Sequence, residues 1–158
     1  IGELEDSKKN LYTDNCILNS VLNIKYSAAQ VADIKIESNI FVPKYMNIDY
    51  GDMGVLFGNL LDNAIEANQG VDRKKRWINV SVKYEEHILI INIKNSKIRG
   101  SRRKKKGYLN HGIGLNSVKQ IVEKFNGIVE VQDFGEMYEV SAILYGICDD
   151  KDLGKSVL

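Results

Sequence analysis

The sequence predicts an α+β fold, a two-layer sandwich in which a mixed sheet carries its helices on one face. Two observations predict it. The apolar periodicity switches between the helical 3.6 and the strand period of 2 in the order αβαββ–loop–αββ. Four of the strand segments fall into two closely linked pairs that read as hairpins, which rules against a doubly wound parallel sheet. A length of 158 residues bounds this to one domain with an unaided core.

The elements follow in order. Residues 1–10 are polar and read as a frayed beginning. A helix is predicted over about 11–32, capped by Thr13 or Asp14, with Leu11, Leu18, Val21, Leu22, Ala28, Ala29 and Ala32 on one stripe. Residues 34–41 alternate as a strand, and Pro43, the only proline, punctuates the connection. The clearest helix spans 50–69. Its apolar face is Met53, Leu56, Phe57, Leu60, Leu61, Ala64 and Ile65, and Asp52, Asn59, Asn63 and Glu66 form a polar stripe opposite. Strands at 77–84 and 88–93 meet at a turn over 85–87. A polar loop covers 95–111. A helix at about 113–126 presents Leu115, Val118, Ile121, Val122 and Phe125, with Gly127 at the C′ position. Strands at 128–132 and 138–145 turn at 134–136, and the tail 149–158 shows no pattern.

Composition excludes several classes. Apolar residues make up 44% and charged residues 27%, so the chain is neither disordered nor membrane-embedded in character. Cys16 and Cys148 form no CxxC pair, and only His87 and His111 accompany them. Both cysteines read as reduced packing residues, as in a cytosolic compartment, and a zinc cluster is not expected. The net charge of +1 conceals a segment, 97–106, that alone carries +7 against −6 in the remainder. An acidic body with one basic segment is not a general polyanion binder.

Gly154–Ser156 imitates the end of a P-loop, but Asp149 stands where the first glycine belongs. The run His111-Gly112-Ile113-Gly114-Leu115 opens a predicted helix. Glycines there let backbone amides approach an anion, and the helix dipole favours phosphate. Asn59 and Asn63 are four apart and share a helix face, where asparagine is a mediocre helix former. Two readings stay open: a solvated stripe, or a platform of amide oxygens for a hard cation and phosphate.

Taken together, GNLLDNAIEA (58–67) and HGIGLNSVKQIVEKFNG (111–127) resemble the N box and G2 box of the GHKL superfamily. More narrowly they are similar to the catalytic and ATP-binding domain of sensor histidine kinases of the Agr/VirS quorum-sensing type. Residues 18–25 (LNSVLNIK), with Ala28 and Ala29, resemble the same subfamily. The resemblance implies ATP as substrate with Mg²⁺. It implies Asn63 as metal ligand, Asn59 as a phosphate-positioning and catalytic residue, and Gly112 and Gly114 as backbone phosphate donors. Lys106, His111 and Leu115 belong to the same nucleotide-contacting stretch. The loop 96–111 would be the lid. Asn95, in Ile93-Lys94-Asn95-Ser96, replaces the Asp of the usual G1 box and would face the adenine amino group. Glu66 stands where relatives often place a basic residue. Hydrolysing members carry Glu at the position of Asn59.

On this reading residues 1–10 are a linker or the end of an acceptor-domain helix, 11–148 the kinase domain and 149–158 a tail. Neither His87 nor His111 suits phosphoacceptance, so the chain is expected to donate to a histidine outside it. The implied partners are that acceptor domain and a response regulator, within a dimeric, membrane-anchored parent whose kinase domain is cytoplasmic, with no nucleic acid. The alternatives are a serine kinase or anti-sigma factor of the same superfamily, or a non-catalytic nucleotide- or nucleic-acid-binding module.

Overall fold

The computed structural model describes residues 10–100 and 108–153, with backbone alone at 108–113 and 153. The order is α1 (Cys16–Val31), β1 (Lys35–Phe41), α2 (Tyr50–Ala67), β2 (Trp77–Glu85), β3 (Ile88–Ser96), α3 (Tyr108–Lys124), β4 (Ile128–Asp133), β5 (Met137–Tyr145) and a short α4 (Asp150–Leu153). A 3-10 turn at Arg73–Lys75 leads into β2. The strands form one sheet in the order β1-β2-β3-β5-β4. β1 runs parallel to β2, and every other pairing is antiparallel. The helices α1, α2 and α3 lie side by side over one face, so the predicted two-layer mixed sandwich is the fold observed.

Alternation along the strands makes the sheet one-sided. In β3, Leu89, Ile91 and Ile93 are buried toward the helices. Ile90 is exposed on the opposite face, where Asn92 donates to Glu139 at 2.5 Å and to Ser141 at 2.9 Å. The helix α2 sits over β3 between α1 and α3. Its stripe Met53, Leu56, Phe57, Leu60, Leu61 and Ala64 is buried, and Asp49 caps it by accepting from the Gly51 amide at 2.7 Å. Ion pairs flank it: Lys25–Asp62 at 2.7 Å ties α1 to α2, and Lys124–Asp52 at 2.9 Å ties α3 to α2. Both are partly exposed, so each contributes at most ~1 kcal/mol and serves mainly to set the register of the helices.

Several local expectations are corrected. The first helix starts at Cys16, because Asn15 rather than Thr13 or Asp14 caps it, accepting from the Leu18 amide at 3.1 Å. The preceding residues run as a strap along α1: Asn19 accepts from the Tyr12 amide at 2.8 Å, and Asn23 exchanges bonds with the Asn10 backbone. Leu11 is therefore 76% exposed, and Ala28 also faces out. Tyr26 takes the buried place instead, and burial raises its hydroxyl pKa to about 12. Cys16 is exposed and Cys148 half-buried, so neither is a core packing residue. The third helix begins at Tyr108 rather than 113, and the tail contains α4.

The end of α3 shows why two adjacent residues cannot exchange roles. The Gly127 amide donates to the Val122 carbonyl at 3.0 Å and the Asn126 amide to the Glu123 carbonyl at 3.0 Å. This is a Schellman closure with Asn126, at φ 52°, as the left-handed residue. Gly127 is one position beyond C′, and its glycine answers a different need. A Cβ there would stand 2.1 Å from the Ile143 carbonyl oxygen of β5. Gly127→Ala should accordingly destabilise the fold by at least about 2 kcal/mol, an overpacking cost against unyielding backbone. Asn126→Gly should be tolerated. Urea unfolding of both variants checks the pair.

Candidate functional site

Asn59 and Asn63 project from α2 one turn apart, with Cβ atoms roughly 5–6 Å from each other by helix geometry. Asn59 is half-buried. Asn63 is only 7% exposed, so at this position the polar stripe dips into the protein and is not a simple solvated face. Glu66, a turn further, is exposed. The glycine-rich turn of α3 lies directly against Asn59: a Cβ at Gly114 would be 3.7 Å from the Asn59 carboxamide. The two stretches singled out in the sequence, 55 residues apart at Asn59 and Gly114, therefore touch. Leu115, next along, is half-buried.

Asn95 ends the helix-facing row Leu89, Ile91, Ile93 of β3 and is 2% exposed. Its Nδ2 donates to the Ser96 carbonyl at 3.0 Å. That donation fixes the amide, because a flipped carboxamide would set two carbonyl oxygens against each other. Oδ1 is thereby oriented as the acceptor.

Behind Asn95 lies a polar network absent from the sequence reading. Asn68, fully buried at the C-cap of α2, donates to the Ala64 carbonyl at 2.9 Å and to the Trp77 carbonyl at 3.3 Å. Its Oδ1 accepts from the Ser96 hydroxyl, which in turn accepts from the Trp77 amide at 3.0 Å. The network fastens the end of α2 to β2 and β3 beside Asn95. Asn68 sits nine residues beyond Asn59 on a segment rich in asparagine. The signal that could have found it was its place just past the last apolar residue of the helix, where a side-chain amide can satisfy the terminal carbonyls.

The basic segment is anchored at its start. The Lys97 amide donates to the Glu136 carbonyl at 3.0 Å, and its ammonium donates to Asp133 at 2.5 Å. The Lys97 hydrogen bond, with a second from the Gly135 amide, holds the Asp133 carboxyl below its ordinary pKa. Arg99 lies 4.0 Å from Glu136. Two of the seven positive charges are thus matched by the β4–β5 turn.

The stretch read as a lid, 96–111, is partly regular structure: Ser96 ends β3, and residues 108–111 belong to α3. Lys106 lies outside the described residues, as do 1–9, the rest of 101–107 and 154–158; the side chain of His111 is likewise not described. Gly112 and Gly114 fall inside α3 rather than before it. In a helix starting at Tyr108 the amides at 112 and 114 enter the intrahelical ladder, and the orphan donors are those of the first four residues. The expected donation from Gly112 and Gly114 to a phosphate is not available in this conformation.

Comparison with known proteins gives the family and the fold. The sequence profile of the GHKL domain family matches residues 48–144, more than half of the chain. A probable C4-dicarboxylate sensor kinase of Bacillus subtilis (strain 168) is 32% identical over 95 residues, which is 54% of this chain and 18% of that protein. The chain thus spans under a fifth of the length of that relative. Among solved structures, the nucleotide-free catalytic domain of the histidine kinase ThkA superposes with a TM-score of 0.63 at 14% identity, covering 82% of this chain and 90% of that one. The Acinetobacter baumannii histidine kinase AdeS gives 0.60 at 16% identity, covering 87% and 66%. Full-length ShkA in complex with AMPPNP gives 0.62 at 14% identity, covering 87% and 31%. At these identities the likeness is one of fold.

The buried network generates a prediction about the site's frame. Ser96→Ala removes the hydroxyl and strands both the Asn68 carbonyl and the Trp77 amide, at a cost of about 1–3 kcal/mol. Thermal unfolding should show this loss, and Ser96→Thr, which keeps the hydroxyl, should recover part of it.

Proposed function

The chain belongs to the GHKL domain family, and from that premise we propose that it is the ATP-binding catalytic domain of a two-component sensor histidine kinase. The observation that carries the reading is the contact between Asn59 on α2 and the glycine-rich turn of α3, together with Asn95 buried at the end of β3, the strand over which α2 lies. Asn59 and Asn63 stand on α2 and Asn95 at the end of β3, with the glycine-rich turn of α3 in contact with Asn59. On this reading residues 11–148 form the nucleotide domain, the connection between β3 and α3 is the lid, 149–158 are the tail and 1–10 link to the acceptor domain.

The donor set fits Mg²⁺. A carboxamide oxygen is a hard donor, and Mg²⁺ takes one or two protein oxygens while phosphates and water complete its octahedron. Asn63 is the metal ligand on this reading. When bound, the ion neutralises charge on the phosphate oxygens. The remaining work falls to this chain's residues. Asn95 Oδ1 accepts from the adenine amino group. Asn59 and the first turn of α3 hold the phosphates. The likeness to the family's motif also implies nucleotide contacts from Lys106, His111 and Leu115. Gly112 and Gly114 become donors once the first turn of α3 unwinds to them, a change made inexpensive by the poor helix propensity of glycine. The bond from the γ-phosphorus to its bridging oxygen breaks as a bond to an imidazole nitrogen forms, and ADP leaves. The accepting histidine is outside this chain. Catalysis of this kind is positioning and electrostatics.

Asn59 also limits the chemistry. An amide takes up no proton at neutral pH, so a general-base contribution of ~10²–10⁴-fold to water attack is missing. That protects the phosphoryl group for the histidine.

The finer reading is a kinase of the Agr/VirS quorum-sensing type, in a dimeric, membrane-anchored parent with its kinase domain in the cytoplasm, passing the phosphoryl group to a response regulator. Its support is the likeness of residues 18–25 and the Asn95 form of the adenine motif. Binding of nucleic acid is not part of this reading. The pairing of Lys97 and Arg99 to Asp133 and Glu136 reduces the charge that the basic segment presents.

Isothermal titration with Mg-ATP, together with steady-state phosphate release, tests this. The chain should bind Mg-ATP and release phosphate far below the ~10 s⁻¹ of a median enzyme. Asn63→Ala should abolish the Mg²⁺ dependence of binding, and Asn59→Ala, at a less buried position, should weaken it. Unchanged Mg-ATP affinity in a folded Asn63→Ala variant rejects the metal assignment. Phosphate release near the median rate, lost in that variant, identifies an ATPase instead.

A further inference from the structure

The sequence offers no metal spacing, yet among the described residues the fold assembles a metal-ligating group. His87 in the β2–β3 turn, Cys148 after β5 and Asp152 in α4 converge with a ring nitrogen, a thiol sulfur and a carboxylate oxygen all within 4.8 Å of one another. The cluster is remote from the carboxamides. His87 immediately precedes β3 and Asn95 nearly ends it, a separation of roughly 27 Å at ~3.4 Å per residue.

We propose that His87, Cys148 and Asp152 form a Zn²⁺ site, with solvent as the fourth ligand. Three features support it. The first is chemistry: thiolate and imidazole select zinc-like ions over Mg²⁺ and Ca²⁺, and three protein ligands with water is a known zinc arrangement. The second is preorganisation. His87 and Glu86 both have positive φ, 67° and 47°, in a two-residue turn that fixes where the imidazole emerges. The Ile147 amide donates to the His87 carbonyl at 2.9 Å, locking the two segments together. Cys148 is clamped from the other side, its amide donating to Asn47 Oδ1 at 2.7 Å and its carbonyl accepting from the Asn47 amide at 3.2 Å. Asp152 is held by the Asp149 amide, which donates to it at 3.1 Å.

The third feature is access. His87 Nδ1 already stands 3.3 Å from Asp152, and its side chain is 54% exposed. Nδ1 also bonds to the Ile147 carbonyl at 3.1 Å, so an ion enters when the half-exposed imidazole turns from that bond to present a free ring nitrogen, and it keeps a water. On binding, the Cys148 S–H proton leaves to solvent as the sulfur–zinc bond forms, and the imidazole ligates in its neutral form. The site ties the C-terminal segment to the β2–β3 turn. Because zinc binds only the folded arrangement, it stabilises the domain by linkage.

Titration of the reduced full chain with Co²⁺ as a spectroscopic probe, followed by Zn²⁺ competition, tests the proposal. One equivalent should give a thiolate-to-cobalt charge-transfer band that Zn²⁺ bleaches. The band should vanish in Cys148→Ala and persist in Cys16→Ala, which removes the other thiol. His87→Asn, which tolerates the left-handed turn, and Asp152→Asn should each weaken Zn²⁺ by more than about 10-fold, the least an outer-shell partner contributes. Zn²⁺ should also raise the Tm of the unmodified chain and not of Cys148→Ala. Absence of the band, its survival in Cys148→Ala, or unchanged Zn²⁺ affinity in His87→Asn overturns the proposal.

Discussion

Everything at the candidate nucleotide site depends on how α2 is buried. It lies between α1 and α3 and over β3, so its apolar stripe must face the sheet while both flanks meet helices. Leu56, Phe57, Leu60 and Leu61 fix its height above Leu89, Ile91 and Ile93. Each such side chain contributes about 1.5–3 kcal/mol by leaving water. Rotating the helix to move Asn63 outward would therefore expose several of them. The position of the carboxamides is a by-product of core packing, which makes it rigid.

The ends of that helix are secured differently. At its start the Asp49 cap and the Lys124–Asp52 ion pair face solvent and are individually inexpensive to lose. At its end the Asn68–Ser96–Trp77 network is buried, where losing one partner costs the desolvation of the others. The stiffer end is the one next to Asn95. On the α3 side the N-terminal part of the helix carries Gly112 and Gly114, and Gly114 lies against Asn59.

The fold was legible from periodicity because each element is amphipathic with one buried face. The stripe of α2 and the alternation of β2 and β3 leave few other arrangements. What escaped was decided by single polar side chains. Asn15 outcompeted its neighbours as a cap, and Asn19 and Asn23 held the preceding residues as a strap, so the helical pattern that began at Leu11 did not become helix. Gly127 looked like a helix stop, whereas its constraint comes from a strand carbonyl sixteen residues away. Within the site, Asn59 and Asn63 were visible as two asparagines on one helix face, and Asn95 through its resemblance to a known motif. The depth of Asn63 was not visible, nor were Ser96 and Asn68, because hydrogen bonding across elements leaves no period in a sequence. The meeting of His87, Cys148 and Asp152 was hidden for the same reason.

On the proposed reading Asn95, with its amide held by Ser96, accepts from the adenine amino group of a nucleotide held by Asn59 and Asn63. The most direct measurement is the relative affinity of the chain for Mg-ATP and Mg-GTP, by competition against a fluorescent adenine nucleotide. An acceptor fixed at Oδ1 matches the exocyclic amine of adenine and faces the carbonyl of guanine, leaving two acceptors opposed. The chain should prefer ATP at least about tenfold, the factor that ~1.4 kcal/mol of mismatched hydrogen bonding produces, and Asn95→Ala should lose that preference. Equal affinity for the two nucleotides, or a preference that survives Asn95→Ala, would contradict it.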